Sequence, residues 1–210
     1  MSILTAYPIS MQDRLELGPE EVRLSGSFED FCNLLGVCEY PIEYQHDEII
    51  LMSYASDPHE QIVANLLGEL HRVFKGKAEY HRYGSNRPVY IAEPQCSYNP
   101  DASVVFGKPV TFEFKPGQDG NINPWLIAEV LSESTQRKDM GEKLPRYKRI
   151  PSLRFILYIE QDTALITLHY RSDENGRWAS TDYNSLTDII VVDQWTIQLR
   201  DIYENVVLSG

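Results

Sequence analysis

The strongest periodicity in the chain follows Ser56-Asp57-Pro58, where Ile62, Val63, Leu66, Leu67, Leu70, Val73 and Phe74 recur at intervals of three and four. That spacing lines one side of a helix, and a capping residue followed by proline in the first turn is a helix start. The pattern predicts a long amphipathic helix lying on a sheet. Upstream, Ser27 followed by Glu29 and Asp30, with Gly36 as a stop, predicts a short helix. Residues 39–44 and 48–53 alternate in character and flank Gln45-His46-Asp47, which reads as a hairpin. Further extended segments fall at 78–83, 87–93, 101–106 and 125–131, with a loop rich in Gly, Asn and Pro over 107–123. A second helix is expected over 134–149, then strands at 154–160 and 164–170. The tail holds short extended pieces at 177–182, 188–192, 196–199 and 202–203. Pro145 removes a helical hydrogen bond and costs about 3 kcal/mol in a helix interior, so a kink or a late helix start is expected there.

Strands, helix, strands, helix, strands is a mixed α/β order: a central mixed β-sheet flanked by helices, with additional strands, rather than a regular βαβ repeat. At 210 residues and 42% hydrophobic content the chain suits one domain with a substantial core. Residues 1–24 read as an N-terminal arm and 25–210 as the single domain.

Two of the apolar segments carry an acid. In Pro124-Trp125-Leu126-Ile127-Ala128-Glu129-Val130-Leu131 the only charge is Glu129, and a carboxylate there is costly to desolvate without a cation, a proton or strong donors. Strand alternation puts Trp125, Ile127, Glu129 and Leu131 on one face and Leu126, Ala128 and Val130 on the other. Asp101 opens the apolar run Ala102-Ser103-Val104-Val105-Phe106. Two acids at the ends of adjacent buried strands can share a divalent ion through oxygen ligands. The plainer alternatives are a turn acid at Asp101 and a buried ion pair between Glu129 and Lys143 or an arginine. The cation must come from the following helix, where Arg137, Lys138 and Lys143 are within reach and Lys143, about two turns in, returns over the strand end.

The net charge of −12 disfavours broad coating by nucleic acid, yet seven of the 19 basic residues fall between Gln136 and Arg154, against only Asp139 and Glu142 there. Surface fields reach roughly 8 Å at physiological salt, so this cluster is either a local phosphate-binding surface or a solvated helix face. His59-Glu60-Gln61-Ile62-Val63 fails the zinc-protease pattern because Val63 occupies the second histidine's place. Cys32, Cys38 and Cys96 form an odd set without a Cys-x-x-Cys pair, no secretory leader pattern is found, and apolar runs are shorter than the roughly 20 residues that cross a bilayer. A cytoplasmic protein without a membrane role is expected.

Tyr98-Asn99-Pro100-Asp101, then Glu129-Val130-Leu131-Ser132-Glu133-Ser134-Thr135, Asp139-Met140-Gly141-Glu142-Lys143-Leu144 and Tyr147-Lys148-Arg149-Ile150-Pro151-Ser152-Leu153 resemble the bacterial putative restriction endonuclease family of the PD-(D/E)xK nuclease superfamily. With the hairpin at 43–52 and the helix entry Ser56-Asp57-Pro58-His59, the resemblance spans residues 39–170. It implies a restriction-endonuclease-like core and a divalent-metal-dependent endonuclease acting on DNA. It also implies Mg²⁺ or Mn²⁺ held by Asp101, Glu129 and the Val130 carbonyl, and a homodimer. The superfamily's strand lysine is replaced by Leu131, and its role falls to Lys143. Arg137 and Lys138 are expected to hold flanking phosphates, with His59 and Tyr147 as supporting residues; capping for His59 and core packing for Tyr147 are the alternatives. A second reading, from a different class, is a non-catalytic binding or assembly module that keeps the nuclease fold.

Overall fold

The computed structural model describes residues 7–132, 139–172 and 176–208. The chain forms two units: Met1–Tyr54, Asn86–Asn99 and Val110–Ile122 make the first, and Ala55–Ser85, Pro100–Pro109 and Asn123–Gly210 the second. Both hold mixed sheets with few helices, the mixed α/β class expected from the element order.

The first unit contains α1 (Met11–Glu16), β1 (Val22–Ser25), α2 (Phe28–Leu34), β2 (Ile42–Gln45) and β3 (Glu48–Leu51). The stretch read as an arm thus includes a capped helix and a strand, β1, paired antiparallel with β3. Arg14 is buried and donates to the carbonyls of Gly18, Glu20 and Met52 at 2.6, 2.8 and 2.6 Å, which ties α1 to the sheet. Helix α2 starts as its sequence predicts, with a reciprocal capping box between Ser27 and Asp30. The β2–β3 turn is only two residues long: His46 and Asp47 both adopt positive φ, 51° and 56°, which matches the right-handed twist of the paired strands.

The second half of the first unit corrects the loop expected over 107–123. After β4 (Tyr80–Gly84), which belongs to the second unit, come β5 (Val89–Ile91), β6 (Cys96–Tyr98) and, again in the second unit, β7 (Ala102–Phe106). Then β8 (Thr111–Lys115) and β9 (Gln118–Asn121) form a hairpin around Gly117, whose φ is 80°. Glycine, asparagine and proline fit the turns here, but Thr111-Phe112-Glu113-Phe114-Lys115 alternates. Its phenylalanines enter an aromatic cluster with Phe28, Phe31 and Tyr90, and Phe112 stacks on Tyr90 at 4.0 Å between centroids. Strand order in this sheet is β1-β3-β2-β6-β5-β9-β8.

The second unit is built on a six-stranded sheet of order β13-β12-β11-β10-β7-β4. Its helix α3 (Asp57–Phe74) precedes β4, and the sheet is completed by β10 (Leu126–Leu131), β11 (Phe155–Glu160), β12 (Ile166–Arg171) and β13 (Trp178–Tyr183). Only β10 and β11 run parallel. Between them lie a π-helical turn (Asp139–Lys143) and α4 (Leu144–Tyr147), and Pro145 sits in the first turn of α4, where its missing N–H costs nothing. Leu126, Ala128 and Val130 join Ile62, Leu66, Leu70, Val73 and Phe74 of α3 in one core, so the helix covers the face that alternation assigns to the even-numbered residues. Every residue of β10 is buried. Strands β14 (Ile189–Val192) and β15 (Trp195–Gln198) form a hairpin, followed by α5 (Leu199–Ile202), a helix where residues 202–203 were expected to be extended. Leu199 and Ile202 both enter the α3 core, a spacing of three that suits a helical turn.

Candidate functional site

Asp101 and Glu129 each stand one residue beyond Ala102–Ala128, the last pair of the antiparallel β7–β10 ladder. Oδ2 of Asp101 accepts the Val130 N–H at 2.7 Å, so the carboxylate is anchored to the peptide that follows Glu129. The same Oδ2 lies 3.4 Å from Nε2 of His59, and no described residue hydrogen-bonds to Oδ1. The Asp101 side chain keeps 15% of its surface exposed.

His59 reaches this point because Ser56 caps α3: Ser56 Oγ accepts the His59 N–H at 3.3 Å and donates to Oε1 of Gln161 at 2.9 Å. Burial alone would lower the imidazole's pKa, but the hydrogen bond and charge of Asp101, with a smaller share from Glu60, carry it above its usual value. Imidazolium is thereby favoured beside Asp101.

Glu129 is buried, with its Oε1 3.2 Å from Nζ of Lys143 and 2.6 Å from the hydroxyl of Tyr147. Lys143 is 2% exposed and Tyr147 fully buried. Positions 143 and 147 are four apart on one helical face, so both donors meet one oxygen. A buried ion pair offsets its desolvation only when further hydrogen bonds satisfy it, and the tyrosine supplies one. The cation expected for Glu129 is thus Lys143, as the strand-to-helix geometry suggests. The ion-pair alternative and the active-lysine reading describe the same contact.

Among the sequence-predicted residues, the fold gathers Asp101, Glu129, Val130, Lys143, His59 and Tyr147 into the second unit, each linked to at least one other by a contact given above. Arg137 and Lys138, with the first part of the helix expected over 134–149, lie outside the described residues. Leu131 is buried and cannot supply charge.

The donor set can be tested against a metal ion. Among the described residues no group of three or more His, Cys, Asp or Glu side chains is arranged to hold an ion, so an all-protein cage of the structural zinc type does not fit. Two carboxylates and a backbone carbonyl are oxygen donors of the kind Mg²⁺ takes, an ion that binds through one or two carboxylates and keeps several waters.

Comparison with known proteins agrees with the fold. The family model described as "Uma2: Putative restriction endonuclease" matches residues 28–200. An uncharacterized protein of Synechocystis sp. is 31% identical over 140 residues, spanning 67% of this chain and 77% of the relative. The crystal structure of a putative nuclease belonging to DUF820 from Anabaena variabilis superposes with a TM-score of 0.63 at 16% identity, covering 82% of this chain and 96% of that one.

Proposed function

The chain belongs to the Uma2 family of putative restriction endonucleases, and on that premise we propose that it is a divalent-metal-dependent endonuclease hydrolysing phosphodiester bonds in DNA. The observation that carries this reading is the anchoring of Asp101 to the Val130 N–H, beside a Glu129 that is already paired with Lys143.

Asp101, Glu129 and the Val130 carbonyl are the groups that would hold Mg²⁺ or Mn²⁺. When bound there, such an ion polarises the scissile phosphate and lowers the pKa of a bound water. The chain's own residues do the remainder. His59 holds Oδ2 of Asp101 and leaves Oδ1 for a ligand. Lys143 turns its ammonium from Glu129 toward the attacking water or the charge that develops on phosphorus. Tyr147 stays on Oε1 and keeps Glu129 fixed while the lysine moves. The water oxygen bonds to phosphorus as the opposite P–O bond breaks, the water giving up a proton to solvent and the leaving oxygen taking one from it.

The test is plasmid nicking with Mg²⁺ or Mn²⁺. Wild type is expected to nick, and Glu129→Gln and Lys143→Met to lose at least a hundredfold in rate while remaining folded. Undiminished nicking by both variants would overturn the assignment. A second reading, the non-catalytic module, draws support from the Glu129–Lys143 pair, which satisfies the acid without any ion. Calorimetric titration with Mn²⁺ separates the two: the nuclease binds the ion and Asp101→Asn does not, whereas the module binds none in either form.

A further inference from the structure

At the end of the second unit where β11 begins, Arg171 of β12 pairs with Trp178 of β13 and donates its backbone N–H to the Arg154 carbonyl at 3.1 Å. Its guanidinium is spent on carbonyls: Leu153 at 2.7 Å, Ile150 at 2.9 Å, and Lys148 and Gly176 at 3.2 Å each. These bonds satisfy its donors without an acidic partner among the described residues. The guanidinium lies 4.9 Å and the Lys148 ammonium 5.8 Å from the centre of the Trp178 ring. Arg149 and Arg154 are exposed on the same segment.

None of Lys148, Arg149, Arg154 and Arg171 forms an ion pair among the described residues, in a chain where 31 acids outnumber 19 basic residues. These cations repel one another. Burial first and then the neighbouring charge of Arg154 lower the pKa of Arg171, and burial lowers that of Lys148. An anion would relieve both the crowding and the desolvation. Strand geometry sets its size: one strand spacing separates β10 from β11, about 5 Å, and the four residues from Tyr158, the partner of Glu129, back to Arg154 add about 13 Å. Arg154 therefore stands roughly 14 Å from Glu129, farther than one small phosphate bridges yet within a turn of duplex DNA, about 34 Å.

We propose that Lys148 and Arg171, which flank Trp178, together with the exposed Arg149 and Arg154 of the adjoining segment, bind the phosphate backbone of a DNA duplex on one side of the scissile bond. The proposal deepens the nuclease reading and rests on it. Arg171 and Trp178 act as the frame, Lys148, Arg149 and Arg154 as the phosphate contacts.

The test is fluorescence anisotropy of a short labelled duplex with full-length protein in EDTA, which prevents cleavage, over a series of salt concentrations. The triple variant K148Q/R149Q/R154Q, which leaves Arg171 in place, is expected to bind at least tenfold more weakly. Its slope of log K against log salt should shrink by about 2 to 3, since each phosphate contact contributes about 0.9. The single variant Arg154→Gln, at an exposed position, should reduce the slope by about 1. Unchanged affinity and slope would overturn the proposal, as would wild-type binding to phosphatidylserine vesicles without binding to the duplex. If wild type nicks plasmid while the triple variant binds normally, the surface fails and the nuclease stands. If duplex binding depends on these cations but nothing is nicked, the surface stands and the nuclease fails.

Discussion

The hydroxyl of Tyr147 lies 2.6 Å from Oε1 of Glu129, a hydrogen bond made where neither side chain has meaningful access to water. A buried bond to a charged acceptor is among the stronger hydrogen bonds a protein makes, and its loss leaves the acceptor's desolvation less fully compensated. Tyr147→Phe keeps the ring's packing and deletes only the donor. It is expected to cost about 1.5–3 kcal/mol in urea denaturation. On the nuclease reading it also lowers kcat while leaving KM nearly unchanged, because Glu129 is less well held.

Glu129 and Lys143 form a coupled pair, and the single variants should be worse than the double. Glu129→Leu leaves a buried ammonium and Lys143→Met a buried carboxylate, each costing about 3–5 kcal/mol. The double variant removes both charges and should recover most of that stability. A double-mutant cycle measured by chemical denaturation checks the sign; additive losses would show that the 3.2 Å contact contributes little.

Ser56→Ala removes the cap that starts α3 and the bond to Gln161. About 1 kcal/mol of stability should be lost. Since His59 meets Asp101 from the first turn of that helix, the spread of His59 resonances in NMR spectra should broaden as the turn frays.

His169 of β12 gives the pH dependence. Burial chiefly, with the nearby charge of Lys148, lowers its folded-state pKa below the value near 6.5 of an unfolded chain, while Asp182 partly opposes this. The unfolded state then takes up the proton first. The contribution of His169 to stability is present above about pH 6.5 and is lost as pH falls through the folded-state value. Histidine Hε1 titration should give a midpoint for His169 below 6.5, and His169→Gln should flatten that part of the stability curve.

How far the sequence reaches depends on the range of the interactions involved. Capping signals are local, so Ser27 with Asp30 and Ser56 with Pro58 placed α2 and α3 almost to the residue. Alternation correctly divided β10 into a face against α3 and a face carrying Glu129. The β8–β9 hairpin was hidden because its turn residues outnumber its two inward phenylalanines, and only the remote partners Phe28, Phe31 and Tyr90 give those a reason to be extended. Asp101, Glu129 and Lys143 were legible through a family resemblance together with the cost of a lone acid in an apolar strand. The hold of Arg171 on the carbonyls of Lys148, Ile150 and Leu153 was not, since a guanidinium that binds backbone atoms leaves no partner residue type in the sequence.

Lys143 and Tyr147 ride on one continuous helical turn between the two parallel strands, and both point at one oxygen. The backbone of one short segment thus carries both donors, so a substitution that shifts its register, unlike one that truncates a single side chain, reaches the acid through the ammonium and the phenol at once.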